Sequence, residues 1–205
     1  MKKNLSLITA LLVFTFTAFS QSPKRQSTDH SQILKLGVNT FFSPDEFPFS
    51  ISWEKKIGTD QSFQIGFLPR VRSYNNEKNS GVGFNVAYRK YISKNRTGIN
   101  GLFISPVAKI GFLKSENNYT NYYGGNPPQV IIVKNNSNIT QFSAGFVFGQ
   151  NWVYKSGFSF EVSAGMAYFN SNEKSSNTNV STTFNNNYKE SGIMPQLQFS
   201  IGYAF

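Results

Sequence analysis

The sequence predicts an all-β protein, an eight-stranded antiparallel transmembrane β-barrel. The last thirteen residues, 193–205, place Leu197, Phe199, Ile201, Tyr203 and Phe205 on alternate positions, with small or polar residues between them. Such alternation gives a strand one apolar and one polar face. Seven earlier segments repeat the pattern. The chain also has 21 Phe and 10 Tyr but a mean hydropathy of −0.33, a combination typical of barrels whose apolar residues occupy every second position.

Length and composition exclude several classes of protein. The 205 residues suit one domain. After the first twenty residues, no apolar run approaches the roughly 18 positions of a membrane-spanning helix. Because the sequence has no cysteine, disulfides, thiol catalysis, thiolate metal sites and a lipidated N-terminal cysteine are excluded.

The N-terminus predicts a cleavable signal peptide at 1–20. Lys2 and Lys3 are followed by an apolar run and by Ala18-Phe19-Ser20, a small-x-small cleavage site before Gln21. The run is too short and wrongly flanked for the alternative, a permanent membrane helix. Residues 21–31 then form a periplasmic lead-in and 32–205 the barrel.

Cleavage lowers the formal net charge from +10 to +8, leaving 18 basic residues against 10 acidic ones. A basic surface favours anionic partners, and we predict outer-membrane lipid and lipopolysaccharide. Nucleic acid is disfavoured because the basic residues are scattered and the protein is exported.

Eight alternating segments can be delimited in the sequence. They are 33–42, 47–56, 62–72, 81–92, 102–112, 140–152, 158–169 and 193–205. The outward positions are mainly aliphatic and aromatic, and they include Phe47 at the start of the second segment. The inward positions are mainly Gly, Ser, Gln and Asn. A soluble, lipocalin-type barrel with its apolar face inward is the alternative, which the export signal disfavours.

The connections alternate in length. Those after the second, fourth and sixth segments are short, whereas 73–80, 113–138 and 170–191 are predicted to be polar loops, with 130–133 extending a hairpin. Outer-membrane barrels have short periplasmic turns and longer external loops. We therefore predict that both termini are periplasmic.

Several charged residues fall on inward positions. Lys35, Glu54, Arg89 and Glu161 all lie towards the periplasmic ends of their segments and are predicted to form one network. The other inward charges are Lys56, Arg70, Arg72 and Lys109. Since an eight-stranded barrel is just wide enough for its own side chains, an interior ion-pair plug is the favoured interpretation. A charged constriction in a narrow, anion-favouring channel is the alternative.

The first long loop carries candidate surface contacts. Tyr119, Tyr122 and Tyr123 lie among Asn and Ser, a composition found on adaptable recognition surfaces. The alternative is a set of hydrophilic loops without a partner.

No catalytic, cofactor or metal site is predicted. The sequence has one histidine, His30, in the lead-in, so a serine on the outer rim has no histidine to activate it. This disfavours a lipid-modifying enzyme, the alternative from a different class.

Two stretches resemble known proteins. The terminal Phe205, with Tyr203 before it, resembles the C-terminal signature of bacterial outer-membrane β-barrels that the barrel-assembly machinery reads. Residues 88–91 (YRKY) and 101–109 (GLFISPVAK) are similar to the central hairpin of small outer-membrane β-barrel proteins of Bacteroidota, which include a domain family of unknown function. The resemblance implies a fold and an outer-membrane location. We expect a monomer with a structural or surface-interaction role.

Overall fold

The computed structural model describes residues 30–40, 47–74, 77–93, 99–123, 129–178 and 183–205. The predicted signal peptide and nearly all of the lead-in lie outside the described residues. Eight strands are present in the described chain. They are β1 (Gln32–Thr40), β2 (Phe49–Lys56), β3 (Gln61–Tyr74), β4 (Glu77–Tyr91), β5 (Gly101–Tyr123), β6 (Gln129–Val153), β7 (Phe158–Thr178) and β8 (Thr183–Ala204).

The strands form one closed antiparallel barrel. Each pairs with its neighbours in sequence, and β8 returns to pair with β1. The pairing of β1 with β8 runs from Ile33 opposite Ala204 to Thr40 opposite Leu197, whereas β8 itself begins earlier, at Thr183. The predicted eight-stranded fold is confirmed. Among the described residues, no helix has the length and apolar character needed to cross a membrane.

The predicted alternation between faces is confirmed along the strands. On β1, Lys35 and Asn39 are buried, while Leu34, Leu36 and Val38 are exposed. From Val82 to Arg89 on β4, exposed and buried residues alternate without a break. This period of two, rather than any apolar core, decides the position of each side chain.

The barrel interior is mainly polar. Near the termini, Tyr91, Phe103 and Ile33 belong to one small apolar cluster. A second cluster contains Phe47, Leu68 and Leu113. Much of the remaining interior consists of buried serine, asparagine and glutamine side chains, among them Ser50, Ser52, Gln64, Ser105, Asn151, Ser163 and Ser200. Polar residues inside and apolar residues outside reverse the arrangement of a soluble protein.

The prediction that Phe47 faces outward is wrong. Its side chain is only 7% exposed and lies in the second apolar cluster. Phe47 precedes the start of β2 at Phe49, so strand alternation does not apply to it. Glycine makes the space for the ring, since a Cβ atom on Gly111 would lie 2.5 Å from it.

The predicted polar loops at 73–80, 113–138 and 170–191 are largely strand, and those predictions are corrected. Pairing of β5 with β6 continues in one register from Leu113 opposite Ile139 to Tyr123 opposite Gln129. β7 and β8 remain paired up to Thr178 and Thr183, and β3 and β4 up to Tyr74 and Glu77. Asn is depleted in strands, which explains the prediction of loops. The predicted hairpin extension at 130–133 is confirmed.

The tight turn between β6 and β7 depends on Gly157. This residue has φ +88°, and a Cβ atom there would lie 2.7 Å from the carbonyl oxygen of Ala204. Its own carbonyl accepts a hydrogen bond of 2.7 Å from the amide of Ala204. The turn is thereby attached to the last strand.

We expect Gly157→Ala to lower the free energy of unfolding by about 1–2 kcal/mol from the left-handed backbone alone, with a further loss from the contact with Ala204. Denaturant unfolding followed by tryptophan fluorescence measures the change. Gly58→Ala in the turn between β2 and β3 is the matched control, because a Cβ atom there would meet its nearest neighbour at 3.4 Å. Equal stability of the two variants would contradict the role given to Gly157.

Candidate functional site: the buried charge network

Four strands each contribute one charge to the interior near the termini. Lys35 lies on β1, Glu54 on β2, Arg89 on β4 and Glu161 on β7. Each occupies an inward position, and each is no more than 2% exposed. A small residue opposite Lys35 makes room for its side chain, because a Cβ atom on Gly202 would lie 3.0 Å from Cγ of Lys35.

The four side chains contact one another as alternating charges. The ammonium of Lys35 contacts Glu54 and lies 2.5 Å from Oε2 of Glu161. Arg89 donates through Nη1 to Glu161 at 2.6 Å and to Glu54 at 3.1 Å, and through Nη2 to the second oxygen of Glu161 at 2.9 Å. Each cation therefore touches both carboxylates, and the group has no net charge. We call these four residues the charge network.

Neutral side chains complete the surroundings of the network. The Tyr91 hydroxyl donates to Oε1 of Glu54 at 2.7 Å, and the Ser62 hydroxyl donates to the same oxygen. The Arg89 guanidinium lies 4.3 Å from the centre of the Phe103 ring, a cation–π contact. Sequence reasoning did not assign these partners, although the alternation of β3, β4 and β5 places all three on inward positions.

Of the other predicted interior cations, Lys56 is half-buried at the end of β2 near the termini, and the remaining three lie farther from the termini. Arg70 is buried on β3, and Lys109 lines a cavity of about 20 Å³ together with Asn39 and Gln141. Arg72 shares the inward parity of Arg70 on β3 but is exposed, so the prediction that it lies enclosed in the interior is wrong. Pairing of β2 with β3 ends at Phe67. Beyond that residue, no described strand pairs with β3 on the side of β2.

The C-terminal pair lies at the seam of the barrel. Tyr203 points outward, and Phe205 is likewise exposed. The amide of Phe205 donates to the carbonyl of Gln32 at 2.9 Å, and its own carbonyl accepts the Gln32 amide at 3.0 Å. The last residue therefore helps to join β8 to β1.

The three candidate contact tyrosines lie on the extended part of β5. By register, Tyr119 is opposite Val133, Tyr122 opposite Val130 and Tyr123 opposite Gln129. The region predicted as a loop thus presents them on a strand.

The arrangement favours a structural role over chemistry. Both carboxylates already face two cations, and they are buried away from solvent. Within the described ranges, no group of three or more His, Asp or Glu side chains is placed to hold a metal ion. Pairing and hydrogen bonding make buried charges tolerable, and the contacts link β1, β2, β4 and β7 across the lumen.

The chain matches no protein-family model and no curated protein. A solved structure to which it is similar is the translocator domain of the autotransporter NalP from Neisseria meningitidis, with a TM-score of 0.45 and 9% identity over 99% of this chain and 98% of that one.

We expect Glu161→Gln to destabilise the barrel by about 3–5 kcal/mol, because Lys35 and Arg89 would share a single buried carboxylate. Urea unfolding in detergent micelles measures the loss. The matched control is Asp60→Asn, which removes a carboxylate from a half-exposed pair with Lys90 and should cost no more than about 1 kcal/mol. Similar losses in the two variants would show that the network does not hold the barrel together.

Proposed function

We propose that the protein is an integral protein of the bacterial outer membrane with a structural or surface-interaction role. The barrel anchors a raised polar sheet, which consists of the paired ends of β3–β8 on the side away from the termini. One observation carries the proposal: exposed aliphatic and aromatic side chains occupy the outer face of all eight strands. This apolar belt includes Leu36, Ile51, Phe67, Phe84, Ile104, Phe146, Tyr168 and Phe199. Soluble monomers rarely expose continuous apolar surface of this extent.

The height of the belt supports a bilayer as its surroundings. On β8, exposed apolar residues extend from Ile193 to Tyr203. That stretch is roughly 33 Å long at about 3.3 Å per residue, and a tilt of about 40° reduces it to about 25 Å, the height of the apolar band in outer-membrane barrels.

The two ends of the barrel support an orientation with both termini in the periplasm. The connections at 57–60 and 154–157, on the side of the termini, are tight. The strands at the opposite end continue as long polar hairpins. Because outer-membrane barrels have short periplasmic turns and longer external segments, we place these hairpins outside the cell. Insertion would use the barrel-assembly machinery, and the protein would act as a monomer.

We propose no catalytic role for the protein. His30 is the single histidine of the sequence, and it lies just before β1 on the side of the termini. A serine on the opposite rim is out of its reach, so the base that lipid hydrolysis requires is missing there.

We expect the purified protein to run as a compact band on SDS gels without heating and as a slower band after boiling, because a closed barrel resists unfolding by detergent. Fractionation should recover the same protein with the outer membrane, and intact-mass analysis should give Gln21 as the mature N-terminus. A single band with unchanged mobility would refute the closed membrane barrel.

The cationic side chains Arg70 and Lys109 inside the barrel favour a second candidate, a narrow anion pore. We expect no conductance steps from the wild-type protein in planar bilayers, because the charge network crosses the lumen and a cavity of about 20 Å³ holds only about one water molecule. Regular, anion-selective steps would establish the pore instead.

A further inference from the structure

The strands beyond the apolar belt have two different faces. On β6 and β7, Ser137, Gln141 and Ser175 are buried on the side that continues the lumen. Asn138, Thr140 and Lys174 are exposed on the side that continues the belt. We call the second side the outward face.

Charge is separated between these faces among the described residues beyond the belt. The alternation of each strand places five lysines and one glutamate on the outward face, namely Lys78, Lys114, Lys134, Lys174, Lys189 and Glu116. The other side receives Glu77, Glu173 and Glu190 with Arg72. The two faces therefore carry opposite net charge, although they belong to the same strands.

The outward lysines begin close above the belt. Lys114 follows Phe112 by two positions on β5, and Lys189 precedes Ile193 by four on β8. At about 3.3 Å per residue, these steps correspond to roughly 7 and 13 Å along the strands. A lysine side chain covers most of the shorter distance and about half of the longer one, so the ammonium groups nearest the belt reach the headgroup layer of a membrane.

The neighbours of these lysines leave most of the positive charge uncompensated. Lys174 lies opposite Asn138 and Asn187, and Lys189 lies opposite Asn172. Glu116 is engaged locally, because Lys114 donates to it at 2.8 Å and Lys78 lies opposite it. The hydrogen bond from Lys114, together with the charges of Lys114 and Lys78, lowers the pKa of Glu116.

We propose that the outward lysines bind the phosphate groups of an anionic membrane glycolipid in the leaflet that surrounds the raised sheet. This proposal rests on the membrane location proposed above. The belt packs against acyl chains, and the outward lysines nearest to it, Lys114, Lys78 and Lys189, meet the phosphates. The carboxylates on the opposite side of the strands are turned away from that layer.

The test measures binding of bis-phosphorylated lipid A to the detergent-solubilised full-length mature protein by native mass spectrometry. The variant K78Q/K174Q/K189Q removes three outward lysines and leaves the pair of Lys114 with Glu116 intact. The control, K55Q/K56Q/K155Q, removes the same charge at the end near the termini. Heat-modifiable migration verifies folding of each protein.

We expect the outward variant to bind lipid A at least tenfold more weakly, since each lysine near an anionic surface contributes roughly fivefold. A higher salt concentration should also weaken the binding of lipid A to the wild-type protein, because salt screens the charges of exposed lysines. The affinity of the control variant for lipid A should lie within about twofold of the wild-type affinity. Dephosphorylated lipid A should bind equally to the wild type, the outward variant and the control. The single variant Lys189→Gln should also bind lipid A more weakly than the wild type, but by less than the triple outward variant.

Wild-type affinity in the outward variant, or an equal loss in the control, would overturn the proposal while leaving the membrane barrel intact. Failure of the wild type to fractionate with the outer membrane would instead refute the membrane location itself. The two failures are therefore distinguishable.

Discussion

Two cations and two carboxylates meet inside the barrel, and the fold depends on their mutual neutralisation. An isolated charge in such an enclosed site is costly, but Lys35 and Arg89 each touch both Glu54 and Glu161. The four residues come from β1, β2, β4 and β7, so the contacts exist only when the sheet has closed. The polar interior and the apolar exterior thus both result from the alternation of side chains along each strand. The charge network stabilises the charged part of that interior.

Much of this arrangement could be predicted from sequence because the strand period of two is a local property. Once a segment is recognised as a strand, the face of Lys35 or Glu161 follows from its neighbours. The common position of the four network residues along their strands also follows, since each lies a few residues from the end near the termini. Ser62, Tyr91 and Phe103 obey the same rule, although their contacts with Glu54 and Arg89 depend on side-chain reach.

The features that escaped prediction depend on contacts between distant parts of the chain. Phe47 turns inward because Gly83 and Gly111, on other strands, leave space for its ring. The Asn-rich stretches become strands because each hairpin arm continues the ladder of its partner, which outweighs the weak strand propensity of Asn. Arg72 is exposed because β2 does not extend beside it. None of these conditions is encoded near the residue concerned.

The unequal lengths of β1 and β8 have a consequence for self-association. Their pairing ends where Thr40 meets Leu197, so the earlier part of β8 forms the border of an open sheet in the described chain. Such borders can recruit foreign strands and seed aggregates. Here the border contains Lys189 and Glu190, whose charges disfavour stacking, and Pro195, which supplies no amide hydrogen. These features disfavour pairing of this border with the strands of another copy.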